Sequence, residues 1–315
     1  MANYLVTGGA GFIGSSLVEA LLERGHAVRV LDNFATGRRE NIAPFLPRIE
    51  LIEGSLTSVD DVRQAVRDMD VILHHGAIPS VPRSIDDPVT SNEVNVTGTL
   101  HVLNAAREFG AKRVVFASSS SIYGDQDEES AKVETMRSYP ISPYGVSKLA
   151  AEAYCQAFHI VYGLETVSLR YFNVFGPRQD PKSTYAAVIP RFITALLQGT
   201  APTIYGDGEQ TRDFTFVGNV VAGNLLAAES PAERVAGEVF NLATGGQVSL
   251  NMLFEMLQEM VGSNIQPIYE TARTGDIKYS RADISKAYAR MNYEPRIPFA
   301  DGLNATVQWY RQQTT

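Results

Sequence analysis

Tyr4-Leu5-Val6-Thr7-Gly8-Gly9-Ala10-Gly11-Phe12-Ile13-Gly14 is the stretch that decides the fold. A short apolar run enters a glycine turn. Leu17, Val18, Leu21 and Leu22 then recur at helical spacing as far as Gly25. Strand, glycine turn and helix, in that order, is the setting in which Gly8-x-x-Gly11-x-x-Gly14 becomes informative. Gly8 permits the tight turn. Gly11 lets backbone N–H groups approach a pyrophosphate at the helix N-terminus, and Gly14 lets the helix pack closely on the strand.

Working outward, residues 28–31 read as a second strand that ends in Asp32-Asn33. An acid there accepts hydrogen bonds from an adenosine ribose and repels a 2′-phosphate, which favours NAD over NADP. Arg38 and Arg39 follow closely and weaken that preference, although they read as solvated loop arginines. Residues 50–53, 71–75 and 114–117 read as further strands, each with loop and helix between. Alternating strand and helix implies a doubly wound parallel sheet of Rossmann type, with ligands gathered at the carboxyl ends of its strands. His74 and His75 have no metal-ligand partner at useful spacing and read as strand-end packing residues. No metal site is expected.

Beyond about residue 170 the pattern changes to prolines, short helices and loops. The expected division is an NAD-binding part over residues 1–170 and a smaller α/β substrate-binding part over residues 171–315. Late strands at residues 166–170 and 238–242 should join the sheet. Arg178, Arg191, Arg212, Arg273 and Arg281 lie in the second part. Guanidinium forks suit a diphosphate, but each of these alone reads as a surface charge.

The chain has 315 residues, which suggests about two domains or one large one. Hydrophobic residues at 44% and charged residues at 20% supply a sizeable core. A net charge of −8 argues against a general binder of nucleic acid or anionic membrane. Cys155 is the only cysteine, so neither an intramolecular disulfide nor a cysteine metal cluster can form; it reads as a buried helix residue. No basic and apolar leader and no membrane-length run is visible, so the expectation is a cytoplasmic protein.

Ser142-Pro143-Tyr144-Gly145-Val146-Ser147-Lys148 carries the chemistry. Tyr144 and Lys148 stand at i and i+4, on one face of a helix and within reach of a common ligand. A free tyrosine titrates near ~10, too high for a base at neutral pH. The lysine charge should lower that value, and an oxidised nicotinamide should lower it further. The pair then suits proton removal from a sugar or alcohol hydroxyl. The spacing alone also fits an ordinary exposed helix face.

Together these pieces resemble the extended short-chain dehydrogenase/reductase family. The likeness runs from Asn3 to about Trp309. It rests on residues 7–14, Asp32-Asn33, Ser118-Ser119-Ser120-Ser121-Ile122-Tyr123-Gly124, Tyr144-x-x-x-Lys148, Arg170-Tyr171-Phe172-Asn173-Val174-Phe175-Gly176-Pro177, and Gly206-Asp207-Gly208 through Arg212-Asp213. Within the family the chain is most similar to the UDP-glucose/UDP-N-acetylglucosamine 4-epimerase branch.

The resemblance implies that Tyr144 is the acid/base, that Lys148 tunes it and holds the nicotinamide ribose, and that Ser119 bonds the reacting C4 oxygen. It implies NAD contacts from Gly8, Gly11, Phe12, Ile13, Gly14, Asp32, Asn33, Thr36, Gly37, Ser55, Leu56, Ala77, Asn95, Tyr144, Lys148 and Tyr171. It implies UDP-sugar contacts from Ser80, Ser119, Ser121, Tyr144, Asn173, Gln179, Ala187, Val188, Tyr205, Arg212, Arg273, Asp276 and Ser280. Two positions depart from the family pattern. Ser55 stands where an aspartate usually faces the adenine amine, and Gly76 replaces an alanine beneath the cofactor.

The implied reaction is 4-epimerisation by transient oxidation at C4. A 4,6-dehydratase needs an acid pair where this chain has Ser120 and Ser121. A uronic-acid epimerase or decarboxylase stays open as an alternative. A cofactor-sensing module without catalysis is disfavoured, because Tyr144, Lys148 and Ser119 are all present. Ser280 is small where glucose-restricted relatives carry tyrosine, which implies room for an N-acetyl group. Helices over residues 89–109 and 144–162 are expected to pair across a two-fold axis into a homodimer.

Overall fold

The structure is a computed structural model that describes residues 1–126, 130–180, 187–272 and 278–314. Among the described residues, seven parallel strands form one sheet. In chain order these are β1 (Asn3–Thr7), β2 (Ala27–Asp32), β3 (Ile49–Glu53), β4 (Val71–His74), β5 (Arg113–Ser119), β6 (Glu165–Tyr171) and a late strand, Glu238–Leu242. Across the sheet they run Glu238–Leu242, β6, β5, β4, β1, β2, β3. The order reverses between β1 and β4, so a crevice opens at their carboxyl ends. All four residues of β4 and the first six of β5 are buried, as expected for strands covered on both faces.

The helices Phe12–Glu23 and Val217–Glu229 cover one face, with Leu17, Leu21, Val220 and Phe240 in a common core. Val59–Val66, Gly98–Phe109 and Pro143–Tyr162 cover the other, around Val62, Leu103, Ala151 and Phe158. A third core lies outside the sheet. It gathers Phe175, Phe192, Phe214, Phe254 and Leu303 from short strands and from the helices Val188–Leu197, Leu250–Val261 and Phe299–Thr314. Among the described residues, no helix is long and apolar enough to cross a membrane.

Pro143–Tyr162 begins as the sequence requires. Ser142 Oγ accepts from Gly145 N at 3.1 Å, Pro143 occupies the first turn, and Gly163 at φ +72 ends the helix. The helix expected over residues 89–109 differs. It runs as Pro88–Asn92, a π-helical turn at Glu93–Thr97, and then Gly98–Phe109. The wider turn contains Asn95, which is buried and bonded to the loop after β4 and to the helix of Tyr144, so tertiary contacts outweigh helical regularity there. Cys155 is fully buried, and burial pushes its thiol up to about 12, which leaves it inert.

Candidate active site

Strand register brings the candidates together. Ser119 at the end of β5 pairs with Tyr171 at the end of β6, and Thr7 at the end of β1 pairs with His74 at the end of β4.

The glycine turn is built for close approach. Gly8 takes φ +68, and a Cβ on Gly14 would lie 2.1 Å from the Gly8 carbonyl oxygen. The helix that starts at Phe12 and Ile13 follows Gly11 and has no side-chain cap, so its first N–H groups can hold a pyrophosphate. Asp32 Oδ2 accepts from Ala10 N at 2.9 Å and Oδ1 from Phe34 N at 2.8 Å. Its remaining lone pairs suit a ribose diol. Burial raises the Asp32 pKa, opposed by those two N–H donors. Asn33 Oδ1 accepts from Ala35 N at 3.1 Å, which shapes the loop carrying Thr36 and Gly37.

Arg38 pairs with Glu40 and Asp180 at 3.5 and 3.9 Å, and Arg39 with Glu53 at 2.6 Å. Both guanidinium groups face carboxylates, which suits a 2′-hydroxyl better than a 2′-phosphate. Ser55 N donates to Asp61 Oδ2 at 2.8 Å, Ser55 Oγ bonds Thr57 Oγ1 at 2.8 Å, and Leu56 is buried behind them. Taken together, these residues fit NAD.

Asn95 and Tyr171 are committed to the protein. Asn95 Oδ1 accepts from Ile78 N, beside Ala77, at 2.8 Å, and Nδ2 donates to Ser147 Oγ at 3.0 Å. The Tyr171 hydroxyl donates to Asn224 Oδ1 at 2.9 Å and lies 2.9 Å from His75 Nε2. His74 sits between the hydroxyls of Thr7 and Thr99 at 2.7 and 3.0 Å. Burial pushes His74 down to about 3 and His75 to about 4, so both are neutral at pH 7.

The candidate pair Tyr144 and Lys148 differs from expectation in one respect. Lys148 Nζ donates to the Ala117 carbonyl at 2.9 Å and lies 6.0 Å from the Tyr144 ring centre. Burial raises the Tyr144 pKa, and the Ser119 side chain opposes that rise. Burial also pushes Lys148 down to about 8. Burial thus acts against the Tyr144 phenolate, while the hydrogen bond from Ser119 favours it. Ser119 Oγ accepts from Ser121 N at 3.2 Å and from Ser121 Oγ at 2.8 Å, which leaves its own proton for Tyr144 or a substrate oxygen.

Sequence reading missed two supports. Ser84 Oγ accepts from Tyr144 N at 3.0 Å. Glu152 lies one turn past Lys148, on the face of Tyr144 and Lys148, and that spacing was its available signal. Its buried carboxylate accepts from Ser118 Oγ at 2.6 Å and from Arg170 Nη2 at 2.6 Å, tying the helix of Tyr144 to β5 and β6. Ser80 caps the helix Val81–Asp86, with its Oγ accepting from Arg83 N at 3.2 Å.

Beyond the sheet edge lies a cavity of 310 Å³. Asn173, Ala187, Val188, Tyr205 and Arg212 line it, together with Phe175, Phe192 and Phe214. Asn173 stands two residues past Tyr171, the register partner of Ser119, so the cavity wall follows that pairing closely along the backbone. Ser280 pairs in register with Arg212. Gln179 Nε2 donates to Val174 O at 3.3 Å, and its Oε1 is buried without a partner among the described residues. Arg273 and Asp276 lie outside the described residues.

The comparisons agree with this geometry. The family model for the NAD dependent epimerase/dehydratase family matches residues 4–243. The chain is 37% identical over 314 residues to the UDP-glucose 4-epimerase of Mycolicibacterium smegmatis, covering 98% of this chain and 99% of that protein. Among solved structures, the UDP-N-acetylglucosamine 4-epimerase from Methanobrevibacter ruminantium M1, in complex with UDP-N-acetylmuramic acid, is 41% identical with a TM-score of 0.94 and 99% of each chain covered. The UDP-glucose 4-epimerase of Thermus thermophilus, in complex with NAD, is 37% identical with a TM-score of 0.89, covering 98% of this chain and 99% of that one. With the glycine turn, the Tyr144–Lys148 helix and nearly full-length likeness in agreement, the chain belongs to the NAD-dependent epimerase/dehydratase family and is an enzyme whose cofactor is NAD.

Proposed function

We propose that the chain is a UDP-sugar 4-epimerase that interconverts UDP-N-acetylglucosamine with UDP-N-acetylgalactosamine and also accepts UDP-glucose and UDP-galactose. The observation that supports this reading is the register that puts the cavity wall next in the chain to the Ser119 pairing. Tyr144 and Ser119 meet at the sheet edge, and a 310 Å³ cavity with Asn173 and Arg212 in its wall starts two residues beyond Ser119's strand partner. That cavity is of a size to take a nucleoside, and Arg212 suits its diphosphate.

In the forward half-reaction Tyr144 takes the proton of the C4 hydroxyl while Ser119 holds the same oxygen. When bound, NAD supplies reversible hydride acceptance at C4 and a positive charge that offsets the burial of the Tyr144 phenolate. The 4-keto sugar turns about its anchored diphosphate, and Tyr144 returns the proton after the opposite face is presented. Ser120 and Ser121 offer no acid/base pair for 4,6-dehydration. The small side chain of Ser280, level with Arg212 on the neighbouring strand, supports acceptance of the acetamido group.

The test is a panel of UDP-sugars given to purified enzyme without outside reductant and followed by NMR. Both 4-epimer pairs should interconvert, and Ser280→Tyr should abolish the acetylated pair while sparing UDP-galactose. Turnover confined to uronic acids, or equal harm to both pairs, overturns the assignment.

The chain is further proposed to act as a homodimer. Val89, Val146, Ile160 and Val161 are 52–79% exposed on the helices expected to pair. Light scattering at micromolar concentration should give twice the 34.4 kDa chain mass; the monomer mass would count against it.

A further inference from the structure

We infer that Asp213 is the positioning residue of the substrate side: its buried carboxylate, wrapped by four donors from two separate segments, sets the place of Arg212 and Ser280 against the sheet edge. This rests on the UDP-sugar reading of the cavity and names what holds that cavity in shape.

Asp213 is 0% exposed. Oδ1 accepts from Thr244 N at 3.0 Å and from Thr244 Oγ1 at 2.6 Å. Oδ2 accepts from Gly245 N at 2.9 Å and from Ala282 N at 3.2 Å. These four partners are dipoles rather than cations, and three are backbone groups. Thr244 and Gly245 follow the end of the sheet strand Glu238–Leu242, and Gly245 takes φ +75 to present its N–H. Ala282 stands two residues past Ser280, on the strip that pairs with Thr211–Arg212. The backbone oxygen of Asp213 also accepts from Asn173 Nδ2 at 3.3 Å.

Four substrate-side features thus converge on one residue. Arg212 precedes it, Asn173 bonds its carbonyl, the Ser280 strip bonds its carboxylate, and the sheet end bonds the same carboxylate. The strands involved at Arg212 and Ser280 are two residues long, too short to fix their own register by pairing alone. A carboxylate can accept all four bonds at once, whereas an asparagine amide must turn two N–H groups toward other N–H groups.

The experiment compares Asp213→Asn, Thr244→Val and Thr244→Ser with wild type. It measures UDP affinity by calorimetry, KM and kcat with UDP-N-acetylglucosamine, and NAD content. Asp213→Asn should weaken UDP binding and raise KM by about tenfold or more, with kcat within about threefold and NAD content unchanged. Thr244→Val, which removes one donor and keeps the carboxylate, should move the same quantities in the same direction by a smaller factor; Thr244→Ser should restore them. The threonine pair decides the matter if Asp213→Asn does not fold. UDP affinity and KM unchanged in the variants, or a loss confined to kcat, would overturn the role of Asp213 while leaving the functional reading intact. Wild type that binds no UDP overturns both.

Discussion

The sheet edge and the cavity side of this site are held by different means. At the sheet edge the cofactor candidates lie on long parallel strands and on the turns that leave them, and backbone does most of the positioning. The Gly8–Gly14 contact, the N–H groups after Gly11 and the Ala10–Asp32 bond all lie within one strand-turn-helix-strand run. On the cavity side, two- and three-residue strands are joined by side-chain bonds that reach across the chain, such as Asp213 to Thr244 and Ala282. The first arrangement is dictated locally and tolerates little change of volume. The second depends on a few polar side chains and should fail one contact at a time.

The largest expected effect sharpens that difference. Gly14→Ala would place a methyl group 2.1 Å from the Gly8 carbonyl oxygen, a distance no relaxation of a side chain can relieve. The purified protein should contain no NAD and show no turnover, yet retain UDP affinity if the cavity side stands independently. Retention of NAD, read by absorbance after denaturation, would break the claim that the turn cannot yield.

Tyr144→Phe comes next. It removes the proton carrier and almost no volume, so both regions should keep their ligands while kcat falls by ~10²–10⁴. Rates within a few-fold of wild type would show that another group moves the proton.

A further effect is on stability and should arise on the sheet side. His74 and His75 are held neutral, with values near 3 and 4 against an ordinary 6.5. Below pH 6.5 the unfolded chain takes up protons that the folded one refuses until about pH 4. Stability should therefore fall as pH drops across that window, by about 1.4 kcal/mol per pH unit for each histidine at the steepest point. Urea unfolding at pH 7 and pH 5 measures this, with far-UV circular dichroism for the whole chain. Trp309, packed on the cavity-side core, supplies a local signal. Replacing His75 with Gln should flatten part of the slope; an unchanged slope would assign the acid sensitivity elsewhere.

Legibility followed the same line. The glycine turn, the sheet strands and the helix of Tyr144 could be read because each is a local pattern of spacing and residue type. The π-helical turn at Glu93–Thr97 could not, since nothing in the local sequence of residues 89–109 announces the pull of Ile78 and Ser147 on Asn95. Ser84 and Glu152 were missed because their partners, Tyr144 N in one case and Ser118 with Arg170 in the other, are distant in sequence. The likeness to relatives pointed to Arg212 and Ser280 as separate residues, and gave no sign that Asp213 joins them.

Sequence by itself determined the doubly wound sheet, the NAD turn and the pairing of Tyr144 with Lys148 on one helical face, because hydrophobic period, glycine spacing and helix geometry act over a few residues. Only the tertiary structure decided the electrostatics of that pair. Lys148 turns to the Ala117 carbonyl and burial raises Tyr144, and both effects depend on what other segments bring against the helix. Only the tertiary structure, likewise, brought Thr244 and Ala282 onto Asp213. The Asp213 carboxylate acquires its partners from distant segments, and no local pattern encodes them.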